Sequence, residues 1–195
     1  MSSSIPEFRQ KDCLNYFGPV EPSFVTVAAK FLASCTDGAE EQLAQSLDTF
    51  IKATQADCVG TAREKEHCWF EIRVDRPKED FKTPRWHQDG PMRTYQEAAE
   101  GEPRSKYATT LLGPCTLLLP SNPKILETQA YVALREWLAD QFEDKEPINL
   151  TNRNIARFTW GRDDSPVHSE PNIVSDRVFI TVIYGSQDEI QTLWN

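Results

Sequence analysis

His87 and Asp89 stand two residues apart in Trp86-His87-Gln88-Asp89-Gly90, and His168 lies far downstream in Pro166-Val167-His168-Ser169. On a strand, residues two apart point to the same side, so His87 and Asp89 can offer an imidazole and a carboxylate to one ion, and a distant histidine can close the face. Two neutral nitrogens and one carboxylate on one face of an octahedron leave the other positions open, which suits mononuclear Fe(II) chemistry with oxygen and a co-substrate. The chain has only three histidines. With 30 acidic residues in 195 positions, roughly one histidine in six has an acid two places on by composition alone, so the pair gains its weight from its surroundings. Gly90-Pro91 after it is a turn signal, and His168 leads into Arg177 to Tyr184 (RVFITVIY), the best strand in the chain.

The elements that must position these residues can be read from periodicity. Residues 1–22 are a polar, proline-bearing N-terminal extension, and 23–195 form one domain. Helical spacing predicts a first helix over about 24–35 (Phe24, Ala28, Phe31, Leu32, Cys35), a second over about 39–54 (Leu43, Leu47, Phe50, Ile51) and a third over about 126–142 (Ala130, Leu134, Trp137, Leu138, Phe142). Asp37 and Glu40 have the spacing of a capping box for the second. From Cys68 the period changes to two, with Phe70, Ile72 and Val74 on one face of a strand. Tyr107–Leu112 and Thr116–Leu119 read as a strand pair around Gly113-Pro114, and Ile155–Trp160 as a further strand. Residues 91–105 are either a lid beside the metal or a solvated loop. If Arg177 points inward, Phe179, Thr181 and Ile183 share its side, while Val178, Ile180 and Val182 need cover from the helices. A last strand apolar on both faces is what a helix-backed barrel predicts. The expected class is α+β, mainly β: a jelly-roll barrel backed by N-terminal and inserted helices.

These parts, in this order, resemble the Fe(II)/2-oxoglutarate-dependent dioxygenases, whose double-stranded β-helix (a cupin-like jelly roll) carries His-x-Asp after an early strand, a second histidine late, and a basic residue shortly beyond it. The resemblance spans about residues 68–185, and the segments YATTLLGPCT (107–116) and VHSEP (167–171) are similar to a little-characterised branch of that superfamily. It implies His87, Asp89 and His168 as metal ligands and catalytic centre, with Arg177 binding the far carboxylate of 2-oxoglutarate through its planar fork. Tyr107 or Thr109 would add a hydrogen bond to the co-substrate. Two residues beyond the arginine the family often has a small hydroxyl residue that helps hold the co-substrate; this chain has Phe179 there. The implied activity is hydroxylation or desaturation of a small organic substrate. Trp86, Phe158 and Trp160 can wall the pocket or serve as ordinary core.

Composition narrows the alternatives. A net charge of −9 with scattered basic residues argues against a nucleic-acid partner. Five cysteines, odd in number and without Cys-x-x-Cys spacing, indicate neither a disulfide framework nor a zinc knuckle. No apolar run approaches the ~20 residues that span a bilayer, and the start Met-Ser-Ser-Ser-Ile-Pro lacks the form of a secretion signal. A soluble cytoplasmic protein is expected. Two other readings stay open: a redox-neutral metal-dependent isomerase or cyclase on the same barrel, and a jelly-roll binding module in which the histidines are separate structural residues.

Overall fold

A computed structural model describes residues 12–58, 60, 65–89, 104–130, 134–152, 154–160 and 165–194. In chain order the elements are β1 (Asp12–Pro19), α1 (Pro22–Cys35), α2 (Glu40–Asp57), β2 (His67–Asp75), β3 (Arg104–Leu112), β4 (Leu117–Leu118), α3 (Pro123–Ala130), α4 (Arg135–Gln141), β5 (Ala156–Trp160), β6 (His168–Ser169), β7 (Arg177–Gly185) and α5 (Gln187–Trp194). Among the described residues helix takes about 35% and strand about 31%, so this is a mixed α+β protein, mainly on antiparallel sheet.

Two ladders organise the strands. β1, β2, β7, β3 and β5 form one sheet in that order, every pair antiparallel. β4 pairs β6 in a second, and single bridges extend it to His87 beside His168 and to Ile148 beside Leu118. Along the chain, β2, β3, β5 and β7 fall in the first ladder, and His87, β4, Ile148 and β6 in the second. No closed barrel is formed among the described residues.

The first sheet divides the molecule. Phe70, Ile72, Val178, Ile180 and Val182 project to one side, where Phe24, Leu32, Leu47 and Phe50 of α1 and α2 cover them in the largest apolar cluster. Burying each such side chain is worth about 1.5–3 kcal/mol, which makes this layer the main source of stability. β7 is buried along its whole length, with Val178, Ile180 and Val182 in the helix-side core and Arg177, Phe179, Thr181 and Ile183 on the alternate positions.

Several expectations are corrected. The supposed extension over residues 1–22 contains β1, whose Leu14 and Tyr16 pack on the helix-side core; Tyr16 stacks on Phe24 with centroids 4.5 Å apart. Asp37 and Glu40 form no capping box: α2 starts after Ala39 with no side-chain cap, and the Gly38 N–H instead meets the Thr36 hydroxyl at 3.2 Å. The single helix over 126–142 is two short ones. Leu134, extended and 77% exposed, precedes α4, which Arg135 fastens to the loop ahead of His87 by donating to the carbonyls of Asp80 and Thr83. β3 and β4 are not partners but belong to different ladders. Gly113 (φ +81°) marks the departure: a Cβ there would lie 2.2 Å from the Asp176 carbonyl oxygen, so only glycine passes so close to the start of β7. The suggested lid over 91–105 lies outside the described residues apart from Arg104 and Ser105, which belong to β3.

Candidate functional site

Between the two ladders lies a cavity of about 210 Å³, walled by Trp69, Glu71, Arg73, Lys106, Phe158, Arg177 and Phe179 from the first and by Arg85, His87, Asp89, Thr116, His168 and Glu170 from the second side. A larger recess of about 790 Å³ between β1, the start of β2 and α5 holds His67 and none of these groups. The titratable side chains converge in the smaller one.

The backbone brings the two distant histidines together. His87 N–H donates to the His168 carbonyl at 2.8 Å and His168 N–H returns the bond to His87 at 2.9 Å. Residues that exchange both bonds in an antiparallel pair have side chains on the same face, and the two rings stand 4.3 Å apart. Asp89, two residues on, reaches the same point: its Oδ1 is 3.7 Å from His168 Nε2. One ligand atom from each of the three residues lies within 4.8 Å of the others. Gln88 holds the intervening backbone in place by donating to the Ser165 carbonyl at 2.7 Å.

Each imidazole is oriented by its other nitrogen. His87 Nδ1 lies 2.7 Å from the Arg85 carbonyl and His168 Nδ1 2.9 Å from the Pro166 carbonyl. A carbonyl can only accept, so both Nδ1 atoms carry a proton, which leaves Nε2 as the atom of each ring able to bind a metal, the arrangement of metal-binding histidines held by backbone carbonyls. Burial, followed by the adjacent His168, lowers the pKa of His87 and favours the neutral ligand form. Burial alone would raise the pKa of Asp89, but its contacts with His168 and the Lys106 ammonium hold the carboxyl well below the usual range. Asp89 Oδ2 is buried without a hydrogen bond of good geometry, although Lys106 Nζ is 3.1 Å away. Two imidazoles held through their Nδ1 atoms and an ionised, incompletely satisfied carboxylate fit a divalent cation.

Arg177 is 1% exposed and lines the same cavity. It donates from Nε to the Pro114 carbonyl at 2.9 Å and from Nη2 to the Thr116 hydroxyl at 3.4 Å, and its guanidinium carbon sits 4.3 Å from the centre of the Phe179 ring. Burial and then the charge of Arg73 push its pKa down to about 10, which leaves it a cation at neutral pH.

The other two expected co-substrate residues are elsewhere. In the pairing of β3 with β7, Tyr107 opposes Val182, a residue of the helix-side core, and its hydroxyl donates to Asp57 at 2.9 Å at the end of α2. Thr109 donates to the Asn154 carbonyl at 3.0 Å. Neither lines the cavity; the residue of β3 that does is Lys106. Of the aromatics, Phe158 walls the cavity, 4.5 Å from the His168 ring, while Trp86 packs against Phe142, Leu119 and Val167; the Trp160 side chain is outside the description.

Sequence reasoning missed a set of charges. Arg85 meets Glu170 at 2.7 Å, and Arg73 faces Glu71 at 3.3 Å and Glu170 at 3.9 Å. Burial works against ionisation of Glu170, but its bond to Arg85 lowers its pKa. The signal available was Glu71-x-Arg73 on the polar face of β2, which reads equally as a solvated surface. No family model, curated protein or solved structure matches this chain.

Proposed function

We propose that this protein is an Fe(II)- and 2-oxoglutarate-dependent oxygenase on a double-stranded β-helix, which hydroxylates or desaturates a small organic substrate. The observation that carries the reading is the meeting of His87, Asp89 and His168, one ligand atom of each within 4.8 Å of the others and both Nδ1 atoms held by backbone carbonyls. The fold half of the proposal draws on strand order. A ladder β2-β7-β3-β5 facing a ladder His87-β6-β4-Ile148 has the order of the two sheets of such a helix, with β1 added at one edge.

In this reading His87, Asp89 and His168 hold the iron, which supplies the activation of oxygen that organic side chains lack. The protein does the rest. The carbonyls of Arg85 and Pro166 keep the imidazoles in the ligand tautomer. Arg177 receives the far carboxylate of 2-oxoglutarate, already aimed by Pro114 and Thr116. Phe158 and Phe179 exclude water from the wall. The chemistry suits a reducing cytoplasmic compartment, consistent with five cysteines that form no disulfide; no described helix is long and apolar enough to cross a membrane.

One observation favours a binding module without metal: the Lys106 ammonium already counters the charge of Asp89. Metal titration separates the two. Anaerobic Fe(II) should bind at about one equivalent per chain, as one facial triad implies, and His87→Ala and His168→Ala should each abolish it. Succinate release on incubation with 2-oxoglutarate and oxygen then tests the oxygenase. Undiminished metal affinity in both histidine variants would end the proposal.

A further inference from the structure

Apart from the Lys106–Asp89 pair, the cavity wall carries three guanidiniums, Arg73, Arg85 and Arg177, and two carboxylates, Glu71 and Glu170. Glu170 serves Arg85 at 2.7 Å and Arg73 at 3.9 Å, and Glu71 serves Arg73 at 3.3 Å. Asp75, whose charge also acts on Arg177, is engaged by Lys78 at 2.8 Å. The hydrogen bonds of Arg177 described above go to neutral oxygens, a carbonyl and a hydroxyl. The wall is one negative charge short.

The shortage has a location. Arg73 and Phe179 are directly paired across β2 and β7, and both side chains face the cavity. The guanidinium carbons of Arg73 and Arg177 lie 4.8 and 4.3 Å from the same Phe179 ring centre. Two like charges are thus held against one ring, and the buried Arg73 Nε–H makes no hydrogen bond, its approach to Glu71 being misaligned. A buried donor in that state is costly unless a ligand supplies the acceptor. Phe179 offers no hydroxyl to a carboxylate lying against Arg177, and Arg73, paired with Phe179 from β2, is placed to supply a further donor.

We propose that Arg73 and Arg177 together grip the far carboxylate of the 2-oxo acid over the Phe179 ring, and that Arg73 sets the preference for a dicarboxylate over a monocarboxylate. The identity of that ligand rests on the oxygenase reading; the two-arginine cradle itself needs only a dicarboxylate.

The test is calorimetric titration of Mn(II)-loaded protein with 2-oxoglutarate and with 2-oxopentanoate, which has a methyl group in place of the far carboxylate. Arg73→Met should weaken 2-oxoglutarate by about 10- to 100-fold, the range for a charge-assisted hydrogen bond, and leave 2-oxopentanoate and Mn(II) affinity as in the wild type. Arg73→Lys keeps the charge, loses the fork and should fall between. Equal losses for both acids, or none for 2-oxoglutarate, overturn the cradle. Should the Met variant not fold, the Lys variant decides, and wild-type affinity for 2-oxoglutarate in it is the overturning result. If the wild type takes neither 2-oxo acid, the oxygenase reading fails separately, and glutarate without metal decides the cradle: binding that Arg73→Met or Arg73→Lys weakens sustains it, and absent or unchanged binding rejects it.

Discussion

The two faces of the first sheet are made by the same strands and differ in almost every physical respect. On the helix side Phe70, Ile72, Ile180 and Val182 are completely buried among apolar neighbours. Buried hydroxyls there are tied off: that of Tyr184 shares a hydrogen bond with Thr54 at 2.7 Å and donates to the Ile51 carbonyl at 3.1 Å, and that of Tyr107 donates to Asp57. On the cavity side Glu71, Arg73, Lys106 and Arg177 crowd charges into a recess where only Phe158, Phe179 and a few others are apolar. Because alternate residues of a strand point to opposite faces, Ile72 and Arg73 are chain neighbours with opposite duties. Stability is concentrated on one face, which leaves the other able to hold an arrangement of charges that does little for folding.

That division can be broken at successive points. Ile72→Ala should cost about 2–5 kcal/mol in urea unfolding, the range for emptying a packed core position, whereas Arg73→Met next to it should cost no more than about 1 kcal/mol, as for partly exposed ion pairs. Comparable losses would mean that the faces do not divide the work. Gly113→Ala strikes where the chain passes from one ladder to the other. A residue with a side chain is strained at φ +81° and would meet the Asp176 carbonyl, so thermal melting should show a loss of at least about 1 kcal/mol. An unchanged midpoint would show that the crossing tolerates a side chain.

The smallest effect concerns pH. The folded-state pKa of Asp89 lies below its ordinary value, in part because of Lys106. That contribution to stability is therefore present above the ordinary carboxylate range and is lost as pH falls through the depressed pKa. Lys106→Met should be less stable than the wild type near neutrality, and the gap should narrow on acidification. A gap of constant size from neutrality to well below the ordinary Asp value of about 3.9, through the range where the folded-state carboxyl takes up its proton, would show that the ammonium acts on packing and not on the charge of Asp89.

Local spacing revealed much of this. Helical periods placed α1 and α2 within a few residues, and the period of two in Cys68–Val74 and Arg177–Tyr184 located β2 and β7. β1 escaped notice because Leu14 and Tyr16 alone carry its apolar face. The break before α4 escaped because the apolar stripe continues in sequence through Leu134, whereas in space Leu134 is exposed and Arg135 binds a loop some fifty residues earlier.

That Lys106 lines the cavity while Tyr107 and Thr109 do not was hidden for a more general reason. Nothing within β3 says which set of alternating side chains faces the helices; its pairing with β7 does, and a slip of one residue would exchange them. The sequence by itself determined residue chemistry and local period: two imidazoles, a carboxylate two residues from one of them, a guanidinium at the head of an apolar strand, and the helices able to cover that strand. Only the tertiary structure decided that His87 and His168 exchange backbone bonds, that Arg73 shares the Phe179 ring with Arg177, and that β3 turns Lys106 inward. Period follows from covalent geometry within a few residues, whereas register and facing depend on partners far along the chain.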